Sequence, residues 1–289
     1  MNYQSFQDLI IEQLDERIPD PKKITIETFR RINGQVSDGL IIMQNDVNIA
    51  PTIYLAPYYS QYKNGRRFSD ILSDILEAYE KNRPTLSIDN SFFTDFSKIR
   101  EHLVFKLVNY QLNETLLEDV PHFRFLDLAV IFYFLLFAEP TGNASILIHN
   151  KHLAYWDTTP EEIFSIAKEN TPRLLPHELH RMSDILPGEA QEMQNELSMY
   201  VLTTSNNLNG ACCMLYPNVI KDFSARMDCD FYILPSSIHE IILLPTDDCD
   251  SIEQLSHMVN HINEIEVAEE DILSSHAYYY SRKDDCISM

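Results

Sequence analysis

The chain has 289 residues and a net charge of −22, from 44 acidic and 22 basic residues. Hydrophobic residues make up 45% of it, which is enough for a sizeable core and excludes a wholly disordered chain. The negative charge disfavours direct binding to nucleic-acid backbones and anionic membranes, because like charges repel. Only 6 glycines occur, and neither GxGxxG nor GxxxxGK[ST] is present, so no glycine-rich phosphate loop is predicted and we expect no cofactor.

The cysteines and the apolar runs indicate the compartment. Five cysteines occur, without a CxxC pair, which is typical of reduced thiols in the cytosol. The first residues lack the basic and apolar regions of a signal peptide. The longest apolar run, residues 128–138, is shorter than the ~20 residues that span a bilayer. These features predict a cytoplasmic protein without membrane association.

The first hundred residues predict an α+β pattern. Phe6, Leu9, Ile10 and Leu14 have helical spacing, and an amphipathic helix begins at Phe68. Strands are expected over residues 24–32, 40–43 and 53–55, with a turn at Asn33–Gly34 between the first two. The polar stretch 83–100 is a plausible domain boundary.

The middle of the chain predicts buried strands and a capped helix. Residues 102–110 alternate like a strand, and 125–137 with 144–149 predict a hairpin that turns at 139–143. A helix over 125–137 is the alternative, since a continuous apolar run has no diagnostic period. Thr159, Pro160 and Glu162 predict a helix start, with the helix ending near Asn170, before Pro172.

The last third predicts two adjacent strands over 228–245, joined tightly at Pro235, Ser236 and Ser237. A strand at 199–204, a helix after Pro217, a capped helix at Ser251 and a closing strand at 277–280 complete the pattern. The expected fold is α+β, with antiparallel strands and helices packed on the sheet. It divides into an N-terminal lobe, 1–95, and a C-terminal domain, 96–289; a single domain is the alternative.

The candidate catalytic residues are Ser237, His239, Glu240 and Asp127. Ser237, His239 and Glu240 have the residue types of nucleophile, base and orienting acid. On a straight strand, however, His239 and Glu240 point to opposite faces, which disfavours a local triad. We therefore expect both to lie on an interior strand and to serve the fold, with Ser236 and Ser237 binding backbone groups in the connection.

Asp127 lies within the long apolar run, where a lone carboxylate is costly unless it is paired. Arg124 or Arg173 is the expected partner. A hydrolase that uses His239, Glu240 and Asp127 across neighbouring strands remains an alternative to this structural role.

No metal site is predicted from the histidines. His257 and His261 are four residues apart on a predicted helix, but they lie opposite its apolar stripe and lack the glutamate of HExxH. His177 and His180 lie in a proline-flanked segment that reads as a loop. Zinc needs three or four converging ligands, so solvated side chains are the better interpretation.

Three segments carry a resemblance to a known family. They include Asn109-Tyr110, Asp119-Val120-Pro121-His122 and Phe125-Leu126-Asp127-Leu128-Ala129; residues 144–148 and 169–176; and residues 232–240. They resemble an uncharacterised family of bacterial intracellular proteins, classed as a domain of unknown function, well over 100–280 and loosely before that. Trp156 and the helix after it are distantly similar to a second uncharacterised bacterial family. With no established activity, the resemblance implies a common fold and no function.

Three functional hypotheses follow. The absence of any complete catalytic or cofactor motif favours a cytoplasmic interaction or regulatory protein, without catalytic activity, that binds a protein partner. The hydrolase described above is the second hypothesis. The third is a mimic of nucleic acid, which requires a continuous acidic stripe on one surface.

Overall fold

The computed structural model describes residues 1–18, 22–45, 47–83, 95–138, 142–185, 198–246 and 251–289. Its three antiparallel sheets, with helices packed on them, confirm the predicted α+β class. Most of the polar stretch proposed as a boundary, at 84–94, lies outside the described residues, as do residues 139–141 of the predicted turn.

The chain packs into two compact units. The first contains Met1–Arg31, Gln35–Asp95 and Leu136–Ser145, and the second contains Ile32–Gly34, Phe96–Leu135 and Ile146–Met289. Neither unit is continuous in sequence. The division into domains 1–95 and 96–289 stays a prediction.

The first unit is built around the predicted helices and strands. Its elements are α1 (Tyr3–Arg17), β1 (Lys22–Arg30), β2 (Val36–Gln44), β3 (Thr52–Tyr54), α2 (Ala56–Lys63) and α3 (Phe68–Asn82). The sheet has the order β1-β2-β3. Phe6, Ile10 and Leu14 of α1 pack with Ile71 and Ile75 of α3 in one core, because helical spacing places them on one face of each helix.

The second unit holds the other two sheets. The strands are β4 (Leu103–Asn109), β5 (His122–Phe125), β6 (Leu128–Ala138), β7 (Gly142–Leu147), β8 (His177–Arg181), β9 (Tyr200–Thr204), β10 (Phe231–Leu234), β11 (Glu240–Pro245), β12 (Tyr278–Ser281) and β13 (Cys286–Ser288). The end of β6 and the start of β7 belong to the first unit. One sheet has the order β4-β6-β5, with β7 also on β6, and the other has the order β13-β12-β10-β11-β9-β8.

Seven helices are described in the second unit. They are α4 (Phe96–Ile99), α5 (Glu114–Leu117), α6 (Asn150–Trp156), α7 (Pro160–Leu174), α8 (Met182–Ile185), α9 (Val219–Met227) and α10 (Ile252–Ile265). Two predicted caps are confirmed: Thr159 accepts a bond from the Glu162 amide at the start of α7, and Ser251 accepts one from the Gln254 amide at the start of α10.

The apolar run at 125–137 is a strand, and the helix alternative is wrong. The run is also broken, because Leu126 and Asp127 form a two-residue turn that joins β5 to β6. Phe125 and Leu128 face each other across this turn, and Leu126 has a φ of 54°. Asp127 therefore occupies a turn, which corrects the prediction that it lies within a buried strand.

The helix α7 continues through Pro172 to Leu174, although we expected it to end near Asn170. Proline removes one helical hydrogen bond, but neighbouring side chains hold this turn against β4. Asn170 Nδ2 donates to the carbonyl of Leu103 at 3.1 Å, and the buried Thr171 hydroxyl accepts from the amide of Phe105 at 3.1 Å. These tertiary bonds offset the cost of the proline.

The two strands predicted over 228–245 are adjacent and antiparallel, and β11 lies inside its sheet between β10 and β9. Their connection is longer than expected, because residues 235–239 separate them. His239 therefore precedes β11, and both His239 and Glu240 are half-buried. His177 and His180 lie on the edge strand β8, which corrects the prediction of a loop, and β13 follows the predicted closing strand.

We predict that Thr171→Val lowers the free energy of unfolding by about 1–3 kcal/mol, because it leaves the buried amide of Phe105 without an acceptor. Thr171→Ser is the matched control, since it keeps the hydroxyl. Urea denaturation of both variants measures the difference. Equal stability of the Val and Ser variants would contradict the role given to this bond.

Candidate functional site

Three of the candidate residues, Asp127, Ser237 and His239, contact one segment, residues 269–278, which we call the strap and which begins with a 3-10 turn, Glu269–Asp271. The strap runs beside the connection between β10 and β11. The amide of Ile238 donates to the carbonyl of Asp271 at 2.8 Å, and the amide of Leu273 donates to the carbonyl of Ser236 at 3.0 Å. The backbones of these two segments are thereby paired, as in a short antiparallel ladder.

Asp127 accepts hydrogen bonds from the strap through both carboxylate oxygens. Tyr278 Oη donates to Oδ1 at 2.5 Å, and Ser274 Oγ donates to Oδ2 at 2.7 Å. His276 Nδ1 lies 3.3 Å from Oδ2. Burial, followed by the charge of Asp127, raises the pKa of Tyr278, so this phenol stays protonated and donates.

The prediction that Arg124 or Arg173 pairs with Asp127 is wrong. Arg124 Nε donates to the carbonyl of Leu126, and its guanidinium lies 4.6 Å from the ring centre of Tyr110. Arg173 donates to the carbonyl of Glu101 at 3.0 Å. Because Asp127 lies in a turn, it reaches the hydroxyl groups of the strap, and no arginine is needed to satisfy it.

His239 is held from both sides of its ring. Nδ1 accepts from the amide of Asn209 at 3.3 Å, which leaves the proton on Nε2, 3.3 Å from Asp271 Oδ1. The backbone amide of His239 donates to Ser237 Oγ at 3.0 Å. Its carbonyl accepts from the Thr203 hydroxyl at 2.8 Å and from the Gly210 amide at 2.9 Å. The residue thus joins the connection, the strap and the loop before Gly210.

The described hydrogen bonds do not bring the candidate residues into one catalytic set. Ser237 Oγ binds a backbone amide, and no described bond joins a serine to the His239 ring. Ser237 thus binds a backbone amide within the connection, which is the structural role that we expected for it. Glu240 pairs with Thr203 on the neighbouring strand, while Asp127 lies in the β5–β6 turn.

The histidines that we did not expect to bind a metal are exposed to solvent. His257 and His261 are exposed on α10, and His180 Nε2 lies 3.0 Å from Glu178 Oε2 on β8. Over the part of the chain that the structure describes, no three His, Cys, Asp or Glu side chains lie close enough to hold a metal ion.

Sequence reasoning missed an interacting pair of histidines at the start of α6. His149 Nδ1 lies 2.7 Å from Asp119 Oδ2, and His152 Nδ1 accepts from the amide of His149 at 3.0 Å. Burial lowers the pKa of His152, electrostatic repulsion from His149 and Lys151 lowers it further, and Asp119 opposes this shift. The i, i+3 spacing of the histidines was the available signal, but Asp119 is remote in sequence.

A surface groove of about 380 Å³ was also missed. Its apolar lining includes Phe125, Ile220 and Ile287. At its rim Lys221 Nζ lies 2.5 Å from Asp285 Oδ2, and Tyr280 Oη donates to Asp285 Oδ1 at 2.6 Å. The lysine lowers the pKa of Asp285, and burial, with Asp285 beside it, raises the pKa of Tyr280 to about 12. The lysine and the carboxylate at the rim neutralise each other, so this part of the groove carries no net charge.

None of the described helices is both long enough and apolar enough to cross a membrane.

Comparison with known proteins places the chain by family alone. The model of DUF5688, a family of unknown function, matches residues 3–282, which extends the expected resemblance over the first hundred residues. No curated protein and no solved structure matches the chain.

We predict that Asp127→Ala lowers the free energy of unfolding by about 1–3 kcal/mol, because the buried Tyr278 hydroxyl loses its acceptor. Adding Tyr278→Phe removes that hydroxyl, so the double variant should lose less stability than the sum of the two single variants. Chemical denaturation of the three variants completes the cycle. Strictly additive losses would show that the two side chains are uncoupled.

We predict that His152 makes the protein less stable as the pH falls. Its pKa in the folded protein is below the ordinary value of 6.5, so the unfolded chain binds the proton more tightly. The contribution is complete above pH 6.5 and is lost as the pH falls from there towards the lowered pKa. His152→Asn keeps an acceptor for the His149 amide without titrating. Identical pH profiles of unfolding for wild type and variant would refute the assignment.

Proposed function

Since the chain belongs to DUF5688, a family of unknown function, we propose from its geometry that it is a non-catalytic interaction or regulatory protein that binds a protein partner. One observation carries this proposal: Asp127 and the His239 ring bond to different residues of the strap, and Ser237 Oγ bonds to a backbone amide, so the three side chains do not converge on a substrate. Catalysis requires mutual hydrogen-bond reach among nucleophile, base and orienting group. The arrangement favours a structural role for all three.

The groove supports a binding role. Its apolar lining and neutralised rim suit an apolar side chain of a partner, since buried apolar anchors supply much of the energy of protein interfaces. The net charge of −22 favours a partner with a positive surface. Cys212, Cys213 and Cys286 form no disulfide within the described residues, which supports the proposed cytoplasmic location; Cys249 lies outside those residues.

The two alternatives draw less support. A hydrolase with His239, Glu240 and Asp127 would need these side chains to meet. His239 and Asp127 bond to different residues of the strap, and no described side-chain bond joins Glu240 to either. A nucleic-acid mimic needs a continuous acidic stripe. On the acidic face of α3, Asp74 pairs with Arg66 at 2.7 Å, and Glu80 pairs with Arg83 at 3.1 Å, so arginines interrupt the candidate stripe.

The test is co-purification from an extract of the organism that encodes the protein. We expect wild type and Ser288→Asp to retain the same partner, and Ile287→Asp to lose it, because Ile287 lines the groove while the adjacent Ser288 does not. Both sites lie on β13, so the variants introduce the same charge at nearly the same place. Circular dichroism and the unfolding midpoint establish that both variants are folded.

Two results would contradict the proposal. One is equal partner retention by Ile287→Asp and wild type. The other is turnover of a nitrophenyl ester or phosphate that disappears in both His239→Gln and Asp127→Asn while these variants keep the wild-type unfolding midpoint. That second result would restore the hydrolase hypothesis.

A further inference from the structure

A second cavity lies between α9 and the six-stranded sheet, and its volume is about 200 Å³. Its apolar wall comes from three neighbouring strands and the helix. Leu179 of β8 lies directly opposite Leu202 of β9, Leu243 comes from β11, and Phe223 comes from α9. The cavity is smaller than the ~300–1,000 Å³ typical of sites for drug-sized ligands, so its occupant would be a small metabolite.

Three polar side chains line the same cavity: His177, Asp222 and Arg226. Asp222 and Arg226 are four residues apart on α9, which places them on one face of the helix. Within the described residues Arg226 makes no ion pair and no side-chain hydrogen bond, although the chain has 44 acidic residues. The imidazole of His177 packs edge-on against Tyr216, and its nitrogens make no described hydrogen bond.

We propose that this cavity binds a small carboxylate with a short, branched apolar body. A guanidinium presents paired donors that match the two oxygens of a carboxylate, and such charge-assisted bonds are about twice as strong as neutral ones. His177 supplies a further donor. Leu179 and Val219, which are half-buried, cover the apolar body, while Leu202, Leu243 and Phe223 are fully buried and form the floor of the cavity.

Asp222 determines which carboxylates fit best. Asp222 lies one helical turn before Arg226, where its carboxylate can accept the ammonium group of an α-amino acid while the arginine binds the acid group. A branched-chain amino acid uses both charged residues, and a simple branched acid uses only the arginine. The site is separate from the groove proposed for a protein partner, so neither proposal depends on the other.

The test is calorimetric titration of the full chain with leucine, 4-methylpentanoate and 3-methylbutylamine. We expect saturable binding of at least one of the two carboxylates and none of the amine. Arg226→Gln should weaken that binding about tenfold or more, the effect of losing a charged hydrogen bond. Arg282→Gln, at an exposed arginine that does not line the cavity, should bind like wild type.

Two further variants separate the contributions. Leu179→Phe fills the apolar part while leaving Arg226 in place, and it should weaken binding of both carboxylates. Asp222→Asn should weaken leucine alone, which distinguishes an amino-acid site from a site for simple acids. The proposal fails if wild type binds neither carboxylate at millimolar concentration, or if Arg226→Gln binds as tightly as wild type.

Discussion

Hydrogen bonds to the strap, residues 269–278, hold the second unit together. The strap has little regular secondary structure, yet buried backbone groups must find partners. Amide side chains from distant segments supply several of them. Asn33 Nδ2 donates to the carbonyls of Glu269 and Ile272, and Asn109 Nδ2 donates to that of Leu273. Together with the connection before β11, they fix a segment that no helix or sheet ladder could hold alone.

The loop between β1 and β2, Ile32–Gly34, belongs to the second unit, and the Asn33–Asn113 pair holds it there. Asn113 Nδ2 donates to Asn33 Oδ1, and the backbone amide of Asn33 donates to Asn113 Oδ1, both at 2.8 Å. Asn33 has a φ of 60°, a left-handed conformation that asparagine tolerates better than most residues. The Asn-Gly dipeptide predicted a turn between β1 and β2. It did not predict the partner, because residue 113 is 80 positions away.

The sequence predicted structure well where the cause is local, as at the Thr159 and Ser251 caps and the periodic stripe of α3. It failed at Leu126–Asp127, because the two-residue turn there lacks the Asn-Gly or Asp-Gly signal and separates apolar residues on both sides. It also extended β11 back to Ile238, because the apolar alternation continues past the strand's end. The partners of Asp127 lie 147 to 151 positions along the chain, beyond any local pattern.

Whether a polar side chain serves the fold or a ligand depends on how many of its hydrogen-bond donors and acceptors the fold leaves unused. A carboxylate has about four acceptor positions, and Asp127 uses both oxygens on the strap. The Ser237 hydroxyl accepts a backbone amide, and the His239 ring is held at both nitrogens. Arg226 differs, because its exposed guanidinium makes no ion pair and no side-chain hydrogen bond within the described residues, and it lines a cavity. Unused donors beside a cavity therefore point to ligand binding more directly than a serine, a histidine and an acid close together in sequence.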